Sequence, residues 1–199
     1  AFKYNNPAII LADGIIGQMM EKVVLPPFRP RRTEEEIRKQ MPWATQGKLA
    51  GHKRNVITSL ELDPAIMEEN NIRFQAKYRK IEEAEVRYEE IGCENADYLM
   101  IAFGSMARIC LKTQEMALAE GIKVGVLRPI TLWPFPSKII AEYANKVKGM
   151  ISVELNAGQM VEDIRLAVNG KVKVEHFGRL GGIVPTPDEV LNALKQKLM

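Results

Sequence analysis

The chain has 199 residues, of which 46% are hydrophobic and 27% charged, and its formal net charge at pH 7 is +3. This composition excludes wholesale disorder and collagen-like order, no uncharged stretch reaches the ~18 apolar residues that span a bilayer, and the charge is too small for a nucleic-acid-binding face. The two cysteines predict a reducing compartment, the cytoplasm, and no disulfide framework.

The first 28 residues are mostly uncharged and contain the apolar run 7–12, which is typical of a short buried strand. A lone apolar strand needs sheet partners, and nothing before it supplies them. There is no initiator Met and no secretory signal pattern. We therefore expect a fragment whose first residues belong to a domain that is mostly missing.

The middle of the chain is densely charged. Of the 62 residues from 29 to 90, 25 are charged, against 23 of the 105 residues from 95 to 199. Both signs are mixed in this middle part, which favours a solvated surface over a polyanion site. The sequence therefore predicts a connector followed by a core-forming half.

Two helices are predicted in this middle part. Thr33 and the three glutamates after it are typical of a helix N-terminus, and Pro42 predicts an end near Met41. Pro64 is expected at the first position of a long, mostly polar helix that ends near Ala84. Residues 55–60 are a weaker candidate strand.

From residue 96 the pattern alternates regularly between strand and helix. The first strand is a short apolar run, and Gly121, Asn169-Gly170, Ser137 and Thr186 are expected to end or cap helices. Four such repeats predict an α/β fold with a parallel sheet and right-handed crossovers. The predicted strands are 97–103, 122–127, 150–154 and 172–177, and the predicted helices are 106–120, 137–147, 158–168 and a terminal helix from Pro187.

Ligands of parallel sheets bind where strands end and helices begin. Four turns qualify: 104–105, 128–131, 154–159 and 178–182. The helix N-terminal amides there could hold an anion. Alternatively, Ser105 and Asn156 only cap helices and the glycines only form turns. We favour this structural interpretation because every doubly wound sheet has such turns.

Glu154 is a carboxylate at the end of an otherwise apolar strand. One interpretation is an acid or base of raised pKa, or a hydrogen-bond anchor for a ligand. The other, which we favour, is a structural partner for a nearby backbone amide or basic side chain. The sequence has no dinucleotide or P-loop glycine motif, no metal-ligand spacing and no nucleophile elbow, so residues alone name no reaction.

A resemblance to a known family indicates a function that the individual residues do not. Residues 127–136 read LRPITLWPFP, which resembles the L-R-P-x-T-L-x-P-F-P stretch of the alpha subunits of 2-oxoacid:ferredoxin oxidoreductases. The resemblance is closest to the 2-oxoisovalerate (3-methyl-2-oxobutanoate) branch, with the 2-oxoglutarate branch next. Five further stretches resemble the same family in the same order: 7–26, 47–55, 96–105, 119–125 and 153–159.

The resemblance implies a part of the alpha subunit of a thiamine-diphosphate enzyme. Such enzymes oxidatively decarboxylate a 2-oxoacid to its acyl-CoA and pass electrons through iron–sulfur clusters to ferredoxin. It also implies that residues 1–28 end the thiamine pyrimidine-side domain, that 29–92 form a charged linker with a helix, and that 93–199 resemble the transketolase C-terminal domain. The implied partners are beta, gamma and cluster-binding subunits, with ferredoxin and CoA.

The chain also departs from the family's catalytic pattern. The family glutamate that activates the aminopyrimidine lies upstream of this sequence, and Asp13-Gly14 does not complete the G-D-G…N motif of the beta subunit. We therefore transfer no catalytic residue and expect thiamine diphosphate, magnesium and clusters to be bound elsewhere in the enzyme. The candidate ligand-binding residues are Ser105, Glu154, Asn156 and Gln159.

Two other functions stay open at this point. The chain could be a stand-alone module that binds an anion, a nucleotide or CoA at the carboxyl edge of the sheet. It could also be an interaction domain whose charged middle docks onto sister chains, which is compatible with a structural role in the oxidoreductase.

Overall fold

The computed structural model describes residues 1–44, 47, 51 and 53–199. Within these residues the helices are α1 Gly14–Gln18, α2 Glu34–Gln40, α3 Pro64–Ala84, α4 Gly104–Ala119, α5 Ser137–Tyr143, α6 Met160–Val168 and α7 Pro187–Leu198. The strands are β1 Tyr88–Ile91, β2 Tyr98–Ile101, β3 Val124–Pro129, β4 Gly149–Glu154 and β5 Lys173–Gly178.

The five strands form one sheet in the order β1-β3-β2-β4-β5. Strands β2 to β5 are parallel, and β2 at the centre pairs Met100 with Val126 of β3 and with Ile151 of β4. The predicted α/β fold with a parallel sheet is confirmed. Strand β1, which pairs antiparallel with β3, was not predicted and lies inside the segment that was expected to be a linker.

The core lies in two layers, one on each face of the sheet. Successive side chains of a strand point to opposite faces, so Met100 packs with α4 and α7 while Leu99 and Ile101 pack with α5 and α6. All six residues of β4 are buried. Because both faces are covered there, β2, β3 and β4 are rich in apolar residues, whereas the edge strand β5 is only partly buried.

The predicted helix caps are mostly confirmed. Thr186 forms a capping box with Glu189 at α7, and Thr33 forms one with Glu36 at α2. Gly121 adopts the left-handed conformation with φ +77° after α4. The expected cap at Ser137 is wrong: Pro136 is the N-cap of α5 without a side-chain hydrogen bond, and the Ser137 N–H donates to the carbonyl of Phe135.

Two predicted strands do not form. Residues 7–12 and 55–60 are irregular, and Ile9, Ile10 and Leu11 are exposed. A strand needs a neighbour to accept its hydrogen bonds, and among the described residues no strand pairs with either run. The apolar pattern at 7–12 therefore has no sheet partner among the residues that the structure describes.

The chain divides into two compact units. One consists of Ala1–Met19 with Ala76–Met199, and the other is Met20–Gln75, so the division falls inside α3. The three-part domain division at residues 28 and 92 stays a prediction. Of the helices in the described part of the chain, none combines the length and the apolar character needed to cross a membrane.

Candidate functional site

The candidate residues lie at the carboxyl edge of the parallel sheet. Strands β2 and β4 are neighbours, with Ile101 opposite Ser152, so the segments that follow them lie at the same edge. Ser105 is at the start of α4, after β2. The loop between β4 and α6 holds the other three candidates, Glu154, Asn156 and Gln159.

The carboxylate of Glu154 is buried and caps α6. Its Oε1 accepts hydrogen bonds from the Ser152 hydroxyl at 2.7 Å and from the N–H of Val161 at 3.0 Å. Its Oε2 accepts the N–H groups of Gln159 at 3.1 Å and Met160 at 2.9 Å. A carboxylate offers about four lone-pair sites, so these four donors saturate it.

The ionised form of Glu154 is the stable one. Burial by itself would raise the pKa of this carboxyl, but the hydrogen bonds from the Ser152 hydroxyl and from the Met160 and Gln159 amides outweigh burial and lower the pKa. The interpretation of Glu154 as an acid of raised pKa is therefore wrong. The contacts are those of the structural partner that the sequence analysis favoured.

The rest of this loop is also internally bonded. The Asn156 side-chain oxygen accepts the Gly158 N–H at 2.7 Å, and the Gln159 side chain makes no capping hydrogen bond. A Cβ on Gly178 would lie 2.1 Å from the Asn156 carbonyl oxygen, so the loop packs directly on the end of β5. The His176 Nε2 atom is buried with no hydrogen-bond partner in the described structure and lies 3.9 Å from Glu154 Oε1.

Asp13 is a site residue that the sequence analysis did not single out. Its Oδ1 accepts the Ile16 N–H at 2.8 Å and caps α1, while its Oδ2 accepts the Ser105 N–H at 3.2 Å and caps α4. Burial opposes ionisation of Asp13, but the hydrogen bonds from Ile16 and Ser105 prevail and lower its pKa. An Asp before a helix predicts the first contact, whereas nothing local predicts a contact 92 residues away.

The Ser105 hydroxyl takes less part in hydrogen bonding than the Ser105 N–H. Its Oγ is buried and makes no hydrogen bond of normal geometry within the described residues, although it is close enough to help lower the pKa of Asp13. Ser105 therefore contributes to this edge mainly through its N–H.

The two remaining turns serve the fold. The Thr131 hydroxyl accepts the Arg87 N–H at 3.0 Å and donates to the Pro134 carbonyl at 2.8 Å, which ties the start of β1 to the loop after β3. Arg179, after β5, pairs with Glu189 of α7 at 3.1 Å. Both turns thus connect neighbouring elements.

The described residues at the carboxyl edge do not fit thiamine diphosphate or its magnesium ion. The carboxylates of Asp13 and Glu154 already occupy the N-termini of α4 and α6, where an anionic phosphate would otherwise bind. In the described part of the chain, no group of three or more His, Cys, Asp or Glu side chains is placed to hold a metal ion.

Comparison with known proteins agrees with the resemblance seen in the sequence. Residues 96–190 match the family model of the pyruvate:ferredoxin oxidoreductase core domain II. Ketoisovalerate oxidoreductase subunit VorB of Methanothermobacter thermautotrophicus is 43% identical over 196 residues, which are 98% of this chain and 54% of that protein. 2-Oxoglutarate synthase subunit KorA of Methanothermobacter marburgensis is 28% identical over 98% of this chain and 57% of its own length.

A solved structure shares the fold. It is the 2-oxoglutarate:ferredoxin oxidoreductase from Magnetococcus marinus with 2-oxoglutarate, coenzyme A and succinyl-CoA bound, with a TM-score of 0.61 and 26% identity over 70% of this chain and 24% of that chain. The chain spans about half the length of the curated relatives it matches. Over the length that it shares with them, the chain is similar to subunits of 2-oxoacid:ferredoxin oxidoreductases.

Proposed function

We propose that the chain is the C-terminal part of the alpha subunit of a thiamine-diphosphate-dependent 2-oxoacid:ferredoxin oxidoreductase. The whole enzyme would decarboxylate a branched-chain 2-oxoacid oxidatively, form the acyl-CoA and reduce ferredoxin. The choice of a branched-chain substrate is supported by 43% identity to the ketoisovalerate subunit, against 26–30% to the 2-oxoglutarate subunits.

Within that enzyme, we assign this part a structural and assembly role. The observation that carries this assignment is the saturation of the carboxyl edge, where the Glu154 carboxylate accepts four internal hydrogen bonds. A catalytic acid, base or ligand anchor needs at least one lone pair or proton that can face a substrate. Glu154 keeps none, so the polar groups of this loop maintain the fold.

Exposed apolar side chains support the assembly part of this role. Ile10 is 95% exposed, Met20 99% and Phe28 87%. An exposed segment that is this rich in large apolar side chains is typical of an interaction site. We assign residues 1–28 to the end of the thiamine pyrimidine-side domain, 29–92 to a connector and 93–199 to the domain resembling the transketolase C-terminal domain. The proposed partners are the beta, gamma and cluster-binding subunits.

The alternative function, a module that binds an anion, a nucleotide or CoA, is not favoured by the geometry. A phosphate at α4 or α6 would have to displace Asp13 or Glu154, or lie beside that negative charge. Like charges a few ångströms apart in a partly buried site repel strongly.

Calorimetry of the chain with thiamine diphosphate and magnesium tests the assignment. Weak or absent binding by this chain, with binding restored when the full alpha and beta subunits are combined, is the expected result. Tight binding by the chain alone would contradict it.

Co-purification tests the assembly role separately. Met20→Asp and Phe28→Asp, introduced into the full subunit, should weaken retention of the beta subunit because they place charge on an apolar contact. Leu166→Asp is the matched control, since Leu166 is a large apolar residue that is likewise exposed, by 79%, but lies on α6. Equal retention by all three variants would show that the apolar segment is not an assembly surface.

A further inference from the structure

The first turn of α4 lacks a cap from its own sequence. Its N-cap residue, Phe103, offers no side-chain hydrogen bond. Helix N-terminal amides are left without partners unless another group accepts them. For the N–H of Ser105, that group is the Asp13 carboxylate, 92 residues earlier in the chain.

Asp13 serves two helices at once. One oxygen accepts the Ile16 N–H of α1 and the other accepts the Ser105 N–H of α4. Gly104 makes the approach feasible: its φ is +58°, and a Cβ there would lie 3.2 Å from Asp13 Oδ2 and 3.7 Å from Ile16 Cδ1. A Cβ at position 104 would crowd the Asp13 carboxylate, whereas its distance to Ile16 is an ordinary van der Waals contact, so the glycine leaves the space that the carboxylate uses.

A second attachment holds the start of the same segment. Lys3 Nζ and Tyr4 Oη each donate to Glu85 Oε1 at 2.8 Å, at the end of α3. The hydrogen bonds from Lys3 and Tyr4 lower the pKa of Glu85 to about 2. Between the two attachments lie the exposed Ile9, Ile10 and Leu11. Residues 3–13 are thus held at both ends, while the apolar side chains between the two attachments remain exposed.

We propose that Asp13 is a positioning residue that locks the N-terminal segment onto the start of α4 and thereby sets how the thiamine pyrimidine-side domain meets the α/β domain. The second half of this statement rests on the proposed function, which assigns residues 1–28 to that pyrimidine-side domain. The first half depends only on the contacts of this chain.

Amide hydrogen exchange of the chain tests the lock. Asp13→Asn retains one acceptor oxygen, which can still cap α1, but its NH2 group would face the Ser105 N–H donor. The expected result is exchange about tenfold faster at Ser105 with Ile16 nearly unchanged, whereas Asp13→Ala accelerates both amides. General loss of stability would instead accelerate amides throughout the core. An unchanged Ser105 amide in both variants overturns the proposal.

Gly104→Ala probes the same contact from the other side. Gly121→Ala is its matched control, because Gly121 also has a positive φ, +77°, but nothing lies within 4 Å of its Cβ position. Ser105 exchange should rise in the Gly104 variant and stay as in the parent in the Gly121 variant. Equal behaviour of the two would overturn the claim that the Asp13 contact matters.

Kinetics of the assembled enzyme test the second half. Asp13→Asn should lower kcat for 2-oxoacid-dependent ferredoxin reduction about tenfold with little change in KM, because misplacement of the cofactor domain affects the reacting geometry more than substrate binding. Faster Ser105 exchange with unchanged kcat would overturn the coupling to catalysis. If the parent assembly does not reduce ferredoxin with a 2-oxoacid, the proposed function is wrong, and so is the link between the Asp13 contact and catalysis. The exchange rate of the Ser105 amide still tests the contact itself.

Discussion

Replacing Glu154 by Gln is the sharpest perturbation of the carboxyl edge. Gln has almost the same shape but offers one acceptor oxygen and one NH2 donor in place of two acceptors. In the better orientation the oxygen still accepts from Gln159 and Met160, and the NH2 group donates to the Ser152 hydroxyl, which can rotate to accept. The Val161 N–H then faces a donor and has no partner.

The cost follows from these contacts. A buried N–H left without a partner costs about 1–3 kcal/mol, and the two retained bonds each lose about 1 kcal/mol when the acceptor becomes neutral. We therefore expect Glu154→Gln to lower the free energy of unfolding by about 3–5 kcal/mol, which is a large fraction of the stability of a typical domain.

Urea denaturation followed by far-ultraviolet circular dichroism measures this loss. Glu162→Gln is the matched control, because Glu162 lies in the first turn of the same helix but is exposed and pairs with the exposed Arg165. The control should change the free energy of unfolding by less than about 1 kcal/mol. If Glu154→Gln matches the control, the carboxylate is not the cap of α6 and its saturation cannot be the basis of a structural role.

Three further predictions concern the packed core, the buried cysteines and the two capping carboxylates. Gly125→Ala should destabilise the chain by at least about 1–3 kcal/mol in urea denaturation, because its Cβ would lie 2.7 Å from Cys93 Cα, whereas Gly17→Ala, with nothing within 4 Å, should have little effect. Burial raises the pKa of Cys93 to about 11 and also raises that of Cys110, so at pH 8 a thiol reagent should modify both only as fast as the chain opens; rapid native modification would contradict this. The pKa values of Asp13 and Glu154 are lowered in the folded state from the ordinary 3.8 and 4.5, so both carboxylates stabilise the fold at a pH above these ordinary values. The free energy of unfolding should decrease as the pH falls through the folded pKa values. Glu154→Gln should make this pH dependence weaker in an acid titration of unfolding.

Periodicity was sufficient for the parallel sheet because strands β2 to β4 are buried on both faces and the helices between them are amphipathic. Strand β1 escaped notice because its residues, Tyr88-Glu89-Glu90-Ile91, are half acidic, as suits an edge strand that faces solvent. For residues 7–12 the error was the opposite one, because a strand was predicted and none forms. Its apolar pattern is that of a strand, but strand formation depends on a neighbouring strand, and the described part of the chain pairs none with it.

The location of the candidate site could be predicted from the sequence, but its hydrogen bonds could not. Parallel topology alone puts Ser105 and Glu154 at one edge. The saturation of Glu154 depends on how the 155–159 loop folds back, and the contact of Asp13 with Ser105 joins residues 92 positions apart. Neither can be inferred from local composition, because both arise from tertiary packing.

The most direct test of the central claim is the turnover of the assembled enzyme with Ser105→Ala or Gln159→Ala in this part of the alpha subunit. Our account predicts kcat and KM for the 2-oxoacid within about twofold of the parent, because Ser105 acts through its N–H and the Gln159 side chain makes no capping hydrogen bond. A fall in kcat of about a hundredfold in a correctly folded assembly would show that this edge takes part in catalysis and would contradict the account.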